Sequence, residues 1–312
     1  MAVDFKTQNV LKVGYEAWEM IGRAPKSVSV VRPLQRGVIT DFDIAQKMIR
    51  LLLKRLRLPR FTRCRVLVCV PGSLTDVETR AVEEAVKSSA IGSVDLIEQS
   101  VAAALGSGMP IDEPVGSMII DVGGGTTETA VLSLGGVVSS KSIKVGGYDI
   151  DHNIQSYLRR EHAIAVGDRT AEEIKIAIGS AFPMDDTLKA QVKGRHLLTG
   201  IPETVTLTPE EIRWAIDEQI RAILESAIYC LEGVPGELAN DLIETGISLV
   251  GGGSLLLGLD RRLQEDTGLK VNLVSSPLEC VVLGAGRALE NFDKFKHFFL
   301  TNSKRLRPAR SS

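Results

Sequence analysis

The residue types best suited to chemistry stand at Asp121-Val122-Gly123-Gly124-Gly125-Thr126-Thr127, where the apolar run Met118–Val122 meets a carboxylate and three glycines. An apolar run stopped by glycines reads as a buried strand ending in a tight turn. Without Cβ atoms, the backbone N–H groups of Gly123, Gly124 and Gly125 can come close to the oxygens of a polyanion. Asp121 is the residue type that holds magnesium through water, because that ion keeps most of its hydration shell. Thr126 adds a hydroxyl that could bind phosphate or orient a water. A glycine hairpin without a ligand would look the same by itself. A second such turn, Gly251-Gly252-Gly253-Ser254-Leu255, follows the apolar run Ile247–Val250 and opens a helix. Free N–H groups at a helix start suit a ribose or a phosphate. Two turns of this composition in one chain make coincidence a poor explanation. Between them Glu172 and Lys175 share one helical face, placed either to reach ribose and base or to form a solvated surface pair.

These groups need a scaffold, and the bulk properties bound it. The 312 residues are enough for one large two-lobed domain or two ordinary ones. Hydrophobic residues at 44% and charged residues at 24% are ordinary for a soluble globular protein. A net charge of −2 gives no general attraction to nucleic acid, and 4% aromatics leave little for base stacking. Cys64, Cys69, Cys230 and Cys280 are scattered, without the clustering that metal or a disulfide framework needs. The N-terminal string lacks the basic-then-apolar order of a secretory signal, and no apolar stretch reaches the ~20 residues of a spanning helix. A cytoplasmic protein is expected.

Residues 1–38 read as short strands and loops punctuated by Gly14, Gly22, Pro25 and Pro33. The spacing of apolar residues predicts a helix from Asp41 to Leu58, with basic residues near its end as the helix dipole favours. Val66–Val70 reads as a buried strand, and Thr75 with Glu78 as a capping box opening the next helix. A strand at Val94–Ile97 should run into a small-residue helix at 100–108. Past the first glycine turn, Thr129–Leu134, a Gly135-Gly136 turn and Val137–Val145 predict an antiparallel meander. Tyr148–Ala181 reads as polar and helical. After a strand at Thr204–Leu207, Thr208-Pro209-Glu210-Glu211 is a strong start signal for a helix to about Glu232. The last elements expected are a strand Ile247–Val250, a helix Leu255–Thr267, a strand Lys270–Val274 and a helix from Pro277 to about Glu290. Alternating strands and helices around a meander give an α/β class with mixed sheets.

Longer strings sharpen this. DVGGGTTETAVLSLGG resembles the second phosphate motif of the MreB family of bacterial actins, and SLVGGGSLLLGLDRRLQEDTGLKV resembles its adenosine motif. IEQSVAAALGSGMPIDEPVGSM and PLECVVLGAGRALEN look like its two connecting segments, and further matches extend the resemblance from Ala2 to about Phe299. The resemblance implies an actin-like ATPase fold of two lobes, each with a mixed sheet flanked by helices and a smaller inserted subdomain. On that map residues 1–38 are the small subdomain of lobe one, and 39–99 with 276–306 its large one. Residues 100–140 and 202–275 make the large subdomain of lobe two, 141–201 its small one, and 307–312 a disordered tail. ATP and magnesium would lie between the lobes. Asp121 would serve the metal; Gly123, Gly124, Gly125, Thr126, Glu172, Lys175, Gly251, Gly252, Gly253, Ser254 and Leu255 would serve the nucleotide. Gln99 and Thr126 would serve the attacking water. The resemblance also implies filaments of the chain with itself on the cytoplasmic membrane surface. Such filaments determine rod shape and guide cell-wall synthesis, with cell-shape and wall-synthesis membrane proteins as partners.

Two departures qualify the match. The family opens with a strand pair bearing an Asp-x-Gly-Thr phosphate turn, whereas Met1-Ala2-Val3-Asp4 matches a point past it. A misplaced start codon or a truncation is the expectation, and loss of two strands would open a sheet edge. Where the family usually has a water-orienting glutamate, this chain has Gln99. An amide can position a water but cannot take its proton, a transfer worth typically ~10²–10⁴-fold. Eukaryotic actin resembles this chain in having glutamine there, so slow hydrolysis is compatible, and Glu98 points the other way on a strand end. Leu56–Arg63 resembles the family's lipid-inserting loop, with Leu58 and Phe61 as apolar contacts and arginines for anionic headgroups; a solvated basic loop is the alternative. Two other functions stay open: a degenerate, non-polymerising regulator that binds complete filaments, and a chaperone-type ATPase, which would need a substrate domain.

Overall fold

Backbone pairing organises the first residues of the chain. The computed structural model describes residues 1–56, 64–89, 92–184 and 187–300. β1 (Ala2–Asp4) lies between β2 (Val10–Lys12) and β3 (Val28–Val30), antiparallel to both, with the single-turn α1 (Tyr15–Trp18) in the connection. β4 (Leu34–Gln35) and β5 (Val38–Ile39) form a small hairpin. The Asp41 carboxylate accepts the Ile44 N–H at 3.0 Å and so starts α2 (Phe42–Arg55). Ile44 then packs on Met1 and Val3, closing this N-terminal module.

β6 (Cys64–Val70) and β7 (Gly92–Glu98) are parallel, joined by α3 (Asp76–Lys87). The predicted capping box starts α3: the Thr75 N–H donates to Glu78 Oε2 at 2.7 Å, and the Glu78 N–H donates back to Thr75 Oγ1 at 3.2 Å. β7 passes directly into α4 (Gln99–Ser107). β6 and β7 form a two-stranded sheet of their own among the described residues, with an isolated antiparallel bridge between Ile97 and Phe299.

Lobe two is built on a larger mixed sheet. β8 (Ser117–Val122) and β9 (Thr127–Ser133) are buried along their whole length, and β10 (Gly136–Ile143) forms one edge. α5 (Gly147–Glu161) and α6 (Asp168–Ile178) pack against a three-stranded antiparallel sheet of β11 (Ile164–Ala165), β12 (Ala190–His196) and β13 (Pro202–Leu207). α7 (Pro209–Glu232) and α8 (Gly236–Thr245) lead to β14 (Ile247–Val250). α9 (Leu259–Thr267), β15 (Val271–Leu273), α10 (Cys280–Glu290) and α11 (Phe292–Phe295) complete the chain. The main sheet has the order β10-β9-β8-β14-β15, with β14 parallel to both β8 and β15. β8 and β14 are mostly apolar and mostly buried, as suits central strands covered on both faces.

The structure corrects several expected boundaries. The β9–β10 turn is Leu134-Gly135, both at positive φ (50° and 69°), not Gly135-Gly136, because Ser133 pairs with Gly136. Two-residue hairpins favour positive φ at both turn positions, and here a leucine accepts one of them. The helix expected from Leu255 starts at Leu259, because Gly252–Leu255 is a single 3₁₀ turn. β12 and α8 were not predicted, although Leu238, Leu242 and Ile243 recur at helical spacing in α8. Leu58, Phe61 and the tail at 307–312 lie outside the described residues. Among the described residues, no helix is long and apolar enough to cross a membrane.

α4 and α10 cross at close backbone approach, at Gly106 and Gly284. A methyl group on Gly284 would overlap the Ala102 carbonyl, and one on Gly106 would overlap that of Cys280. Gly284→Ala should therefore cost about 3 kcal/mol of stability in urea unfolding, at the upper end for an added methylene. A loss below about 0.5 kcal/mol would show that the crossing has room to relax.

Candidate functional site

β8 and β14 are parallel neighbours with Asp121 opposite Val250, so both glycine turns leave the sheet side by side at the same edge. A crevice beyond the carboxyl ends of parallel strands is where open α/β sheets bind ligands. Gly251 sits at φ 84°, a conformation that favours glycine, and its N–H donates to the Pro277 carbonyl at 3.0 Å. The first turn is closed by the Gly123 N–H donating to the Thr126 carbonyl at 2.9 Å. Its own carbonyls, at Gly123 and Gly124, accept from the N–H groups of Gly147 (3.0 Å) and Tyr148 (2.7 Å), the first residues of α5. A Cβ on Gly146 would fall 2.7–2.8 Å from backbone atoms of residues 123–125, so the helix start presses directly on the turn.

One cavity of about 790 Å³ gathers Gln99, Asp121, Gly123, Gly124, Glu172, Lys175, Gly251, Gly252, Gly253 and Leu255 from the predicted set. Three predicted residues stand behind its wall. A Cβ on Gly125 would meet the Arg36 backbone at 2.9 Å. Thr126 is buried, with its side chain hydrogen-bonded to Glu128. Ser254 Oγ donates to the Gly251 carbonyl at 2.5 Å and so closes its own turn. Lys175 is already engaged: its Nζ is 2.8 Å from Asp151 Oδ1, at ion-pair distance without hydrogen-bond alignment, and donates to the Gly147 carbonyl at 3.3 Å. Residues that sequence reasoning missed include Tyr148, whose ring lies over Gly124, and Leu278, which lies over Gly252. The Gly146-Gly147 pair before α5 was a legible signal for the first; nothing local marked the second.

The charges of the site are few and buried. Asp121 is 1% exposed, and burial pushes its carboxyl up to about 6, opposed by Gln99 Nε2 donating to Oδ2 at 2.7 Å. In register with it on β9, Glu128 is 3% exposed and pushed to about 7 by burial. Ser142 Oγ (2.7 Å) and the Gly72 N–H of lobe one (3.2 Å) donate to Glu128. Burial, with Asp121 nearby, pushes the Cys69 thiol of the cavity wall to about 12. Among the described residues, no three His, Cys, Asp or Glu gather as a metal site. One desolvated carboxylate beside two glycine turns would suit magnesium, which keeps most of its waters when a protein holds it.

Residues 1–297 match the family model described as MreB/Mbl protein. The chain belongs to the MreB/Mbl family. It is 44% identical over 288 residues to the cell shape-determining protein MreB of Escherichia coli (strain K12), covering 92% of this chain and 83% of that protein. Against the cell shape-determining protein Mbl of Bacillus subtilis (strain 168) it is 39% identical over 295 residues, 94% of this chain and 89% of that one. The crystal structure of MreB5 of Spiroplasma citri bound to ADP superposes with a TM-score of 0.89 at 34% identity, over 95% of this chain and 90% of that one. A MamK double helical filament matches at a TM-score of 0.76 over 89% of this chain and 85% of that one, where 21% identity shows the fold alone. The actin-like ATPase fold expected from the motifs is the fold of this MreB/Mbl chain.

In this MreB/Mbl cleft the raised carboxyls set a pH dependence. Both groups hold their protons more tightly folded than unfolded, so their contribution is complete below about pH 4 and is lost as pH rises through about 6 and 7. Glu128→Gln should remove the Glu128 share, narrowing the fall in stability between pH ~4.5 and ~8 by about 3 kcal/mol. Urea unfolding at the two pH values measures this, and parallel losses in both proteins would contradict it.

Proposed function

We propose that this chain binds ATP with magnesium and assembles into filaments on the inner face of the cell membrane, where they determine cell shape and guide wall synthesis. The observation that carries the binding reading is the pair of glycine turns opening into one cavity of about 790 Å³ that the buried carboxylate Asp121 lines. Backbone N–H groups of the two turns would hold phosphates and ribose, and Asp121 would face the metal through water. Glu172 and Lys175, on the α6 wall, stand toward the sugar end of the cavity in this reading. Crystal structures of MreB5 of Spiroplasma citri bound to ADP and to AMPPNP support it at 34% identity. Gln99 already donates to Asp121, and its amide offers an attacking water no base, so hydrolysis is slow.

The names of the relatives support a cell-shape role, and the surface supports self-association. At the tip between β12 and β13, Leu197, Leu198 and Ile201 are 45%, 89% and 65% exposed. Clustered apolar residues on a projecting tip mark a contact surface. In this reading membrane attachment falls to Leu58 and Phe61, and the partners are membrane proteins of shape and wall synthesis. The amide at Gln99 favours one other reading, a degenerate, non-polymerising regulator that binds complete filaments.

Gly124→Asp should weaken ATP binding at least ~10-fold, because it sets a carboxylate against phosphate and against the Tyr148 ring, 3.0 Å from an added Cβ. Equal affinity in a direct calorimetric titration would refute the binding site. With ATP and magnesium the chain should sediment as polymer, and Leu198→Asp should abolish pelleting while leaving ATP affinity intact. A wild-type chain that binds ATP yet never pellets would favour the regulator.

A further inference from the structure

α7 is 24 residues long and buries only the side it turns to the main sheet, where Ile212, Ile216, Ile220 and Ile223 join the core. Its outer side carries Glu210, Trp214, Glu218, Glu225, Tyr229 and Glu232, all exposed and spaced three, four or seven apart along one stripe. Trp214 is 79% exposed. A groove of about 540 Å³ follows the stripe from Trp214 past Glu218 to Glu225. Arg221 in the groove is held by Asp217 at 2.7 Å, and Lys141 Nζ lies 4.5 Å from the Tyr229 ring centroid. Among the described residues, Glu210, Glu218, Glu225 and Glu232 enter no ion pair. Indole and phenol faces set between carboxylates suit arginine, whose flat guanidinium stacks on a ring while its N–H groups reach an acid. The same carboxylates repel a phosphate-bearing surface such as lipid or nucleic acid.

We propose that this stripe receives the arginine-rich segment 304–310 of a second copy of the chain, linking copies head to tail. The segment, outside the described residues, carries Lys304, Arg305, Arg307 and Arg310 and no acid. The two lengths agree. Trp214 and Tyr229 stand ~22 Å apart along the helix, and seven residues fully extended span roughly 20 Å. A copy cannot use its own stripe, because its chain leaves from the other face of the main sheet. On β8, Met118 and Ile120 pack in the core beneath α7, whereas Ile119 packs on the opposite face, in the core that holds Phe295 and Phe299. Leu300 is then tied to lobe one, its N–H donating to the Leu96 carbonyl at 2.7 Å. Residues 301–303 add at most ~10 Å, about one helix diameter, which does not carry Lys304 around the sheet and past α7. Segment and stripe therefore meet only between copies, and each contact leaves one of each for the next copy.

Complementary variants of the full chain, without nucleotide, test this. Glu218→Lys/Glu225→Lys spoils the exposed stripe, and Arg305→Glu/Arg307→Glu spoils the segment. In sedimentation velocity the wild type should form oligomers that grow with concentration, and each variant alone should stay monomeric. Mixed, the two variants should give dimers and nothing larger, since one intact segment then meets one intact stripe. Trp214 supplies a second readout, because Trp18→Phe makes it the sole tryptophan. In that background a synthetic peptide of residues 301–312 should shift the Trp214 emission of the segment variant. Glu218→Lys/Glu225→Lys should weaken the peptide at least ~10-fold, and raising salt from ~50 to ~500 mM should weaken it similarly. A monomeric wild type, a mixture without dimers, or no shift with peptide at ~1 mM would each overturn the proposal. So would a peptide that binds vesicles of anionic lipid but not the chain, which would assign the arginines to a membrane.

Discussion

The site depends on one backbone-to-backbone contact, the start of α5 pressed onto the turn Gly123–Gly125. Gly146 can lie there only without a side chain, and the N–H groups of Gly147 and Tyr148 take up carbonyls that would otherwise face the cavity. Because those carbonyls turn away, the amide side of the turn is left for an anion. The same contact fixes Tyr148 over Gly124, brings Asp149 to Arg36 and sets the Gly147 carbonyl where Lys175 donates to it. A binding surface, a helix direction and a cross-lobe pair thus share one geometric origin.

The two buried carboxylates of β8 and β9 divide the work by what surrounds them. Asp121 has a single amide donor from Gln99 and lines the cavity, so it is desolvated with little to offset the cost. Glu128 stands behind the turn, with donors from Ser142, Thr126 and the Gly72 backbone of lobe one. It ties the two lobes together beneath the site. Sequence reasoning passed over it because a glutamate in an alternating strand ordinarily points to water.

What was legible in the sequence was local. Strands that end in glycine turns, the capping boxes at Thr75 and Thr208 and the long helix to Glu232 all follow from neighbours within a few residues, and they stand where expected. The motif strings supplied the architecture that joins them. The misreadings share a cause: a partner distant in the chain decided the outcome. Thr126 and Ser254 carry hydroxyls that look ligand-directed, but Glu128 takes one and the Gly251 carbonyl takes the other. Lys175 lines the cavity, but its head group already stands beside Asp151, on a different helix. Leu278 reaches the second turn only because α10 is packed there by its crossing with α4. No spacing rule within a single segment could show these approaches.

Cys69 gives the cavity wall a chemical consequence of its own. Burial pushes this thiol up to about 12, so it carries very little thiolate at neutral pH. Alkylating reagents and peroxide act through the thiolate, so the sulfur behaves there as a small greasy atom and not as a nucleophile. The cleft can therefore hold a cysteine at its floor without becoming a target of oxidative damage.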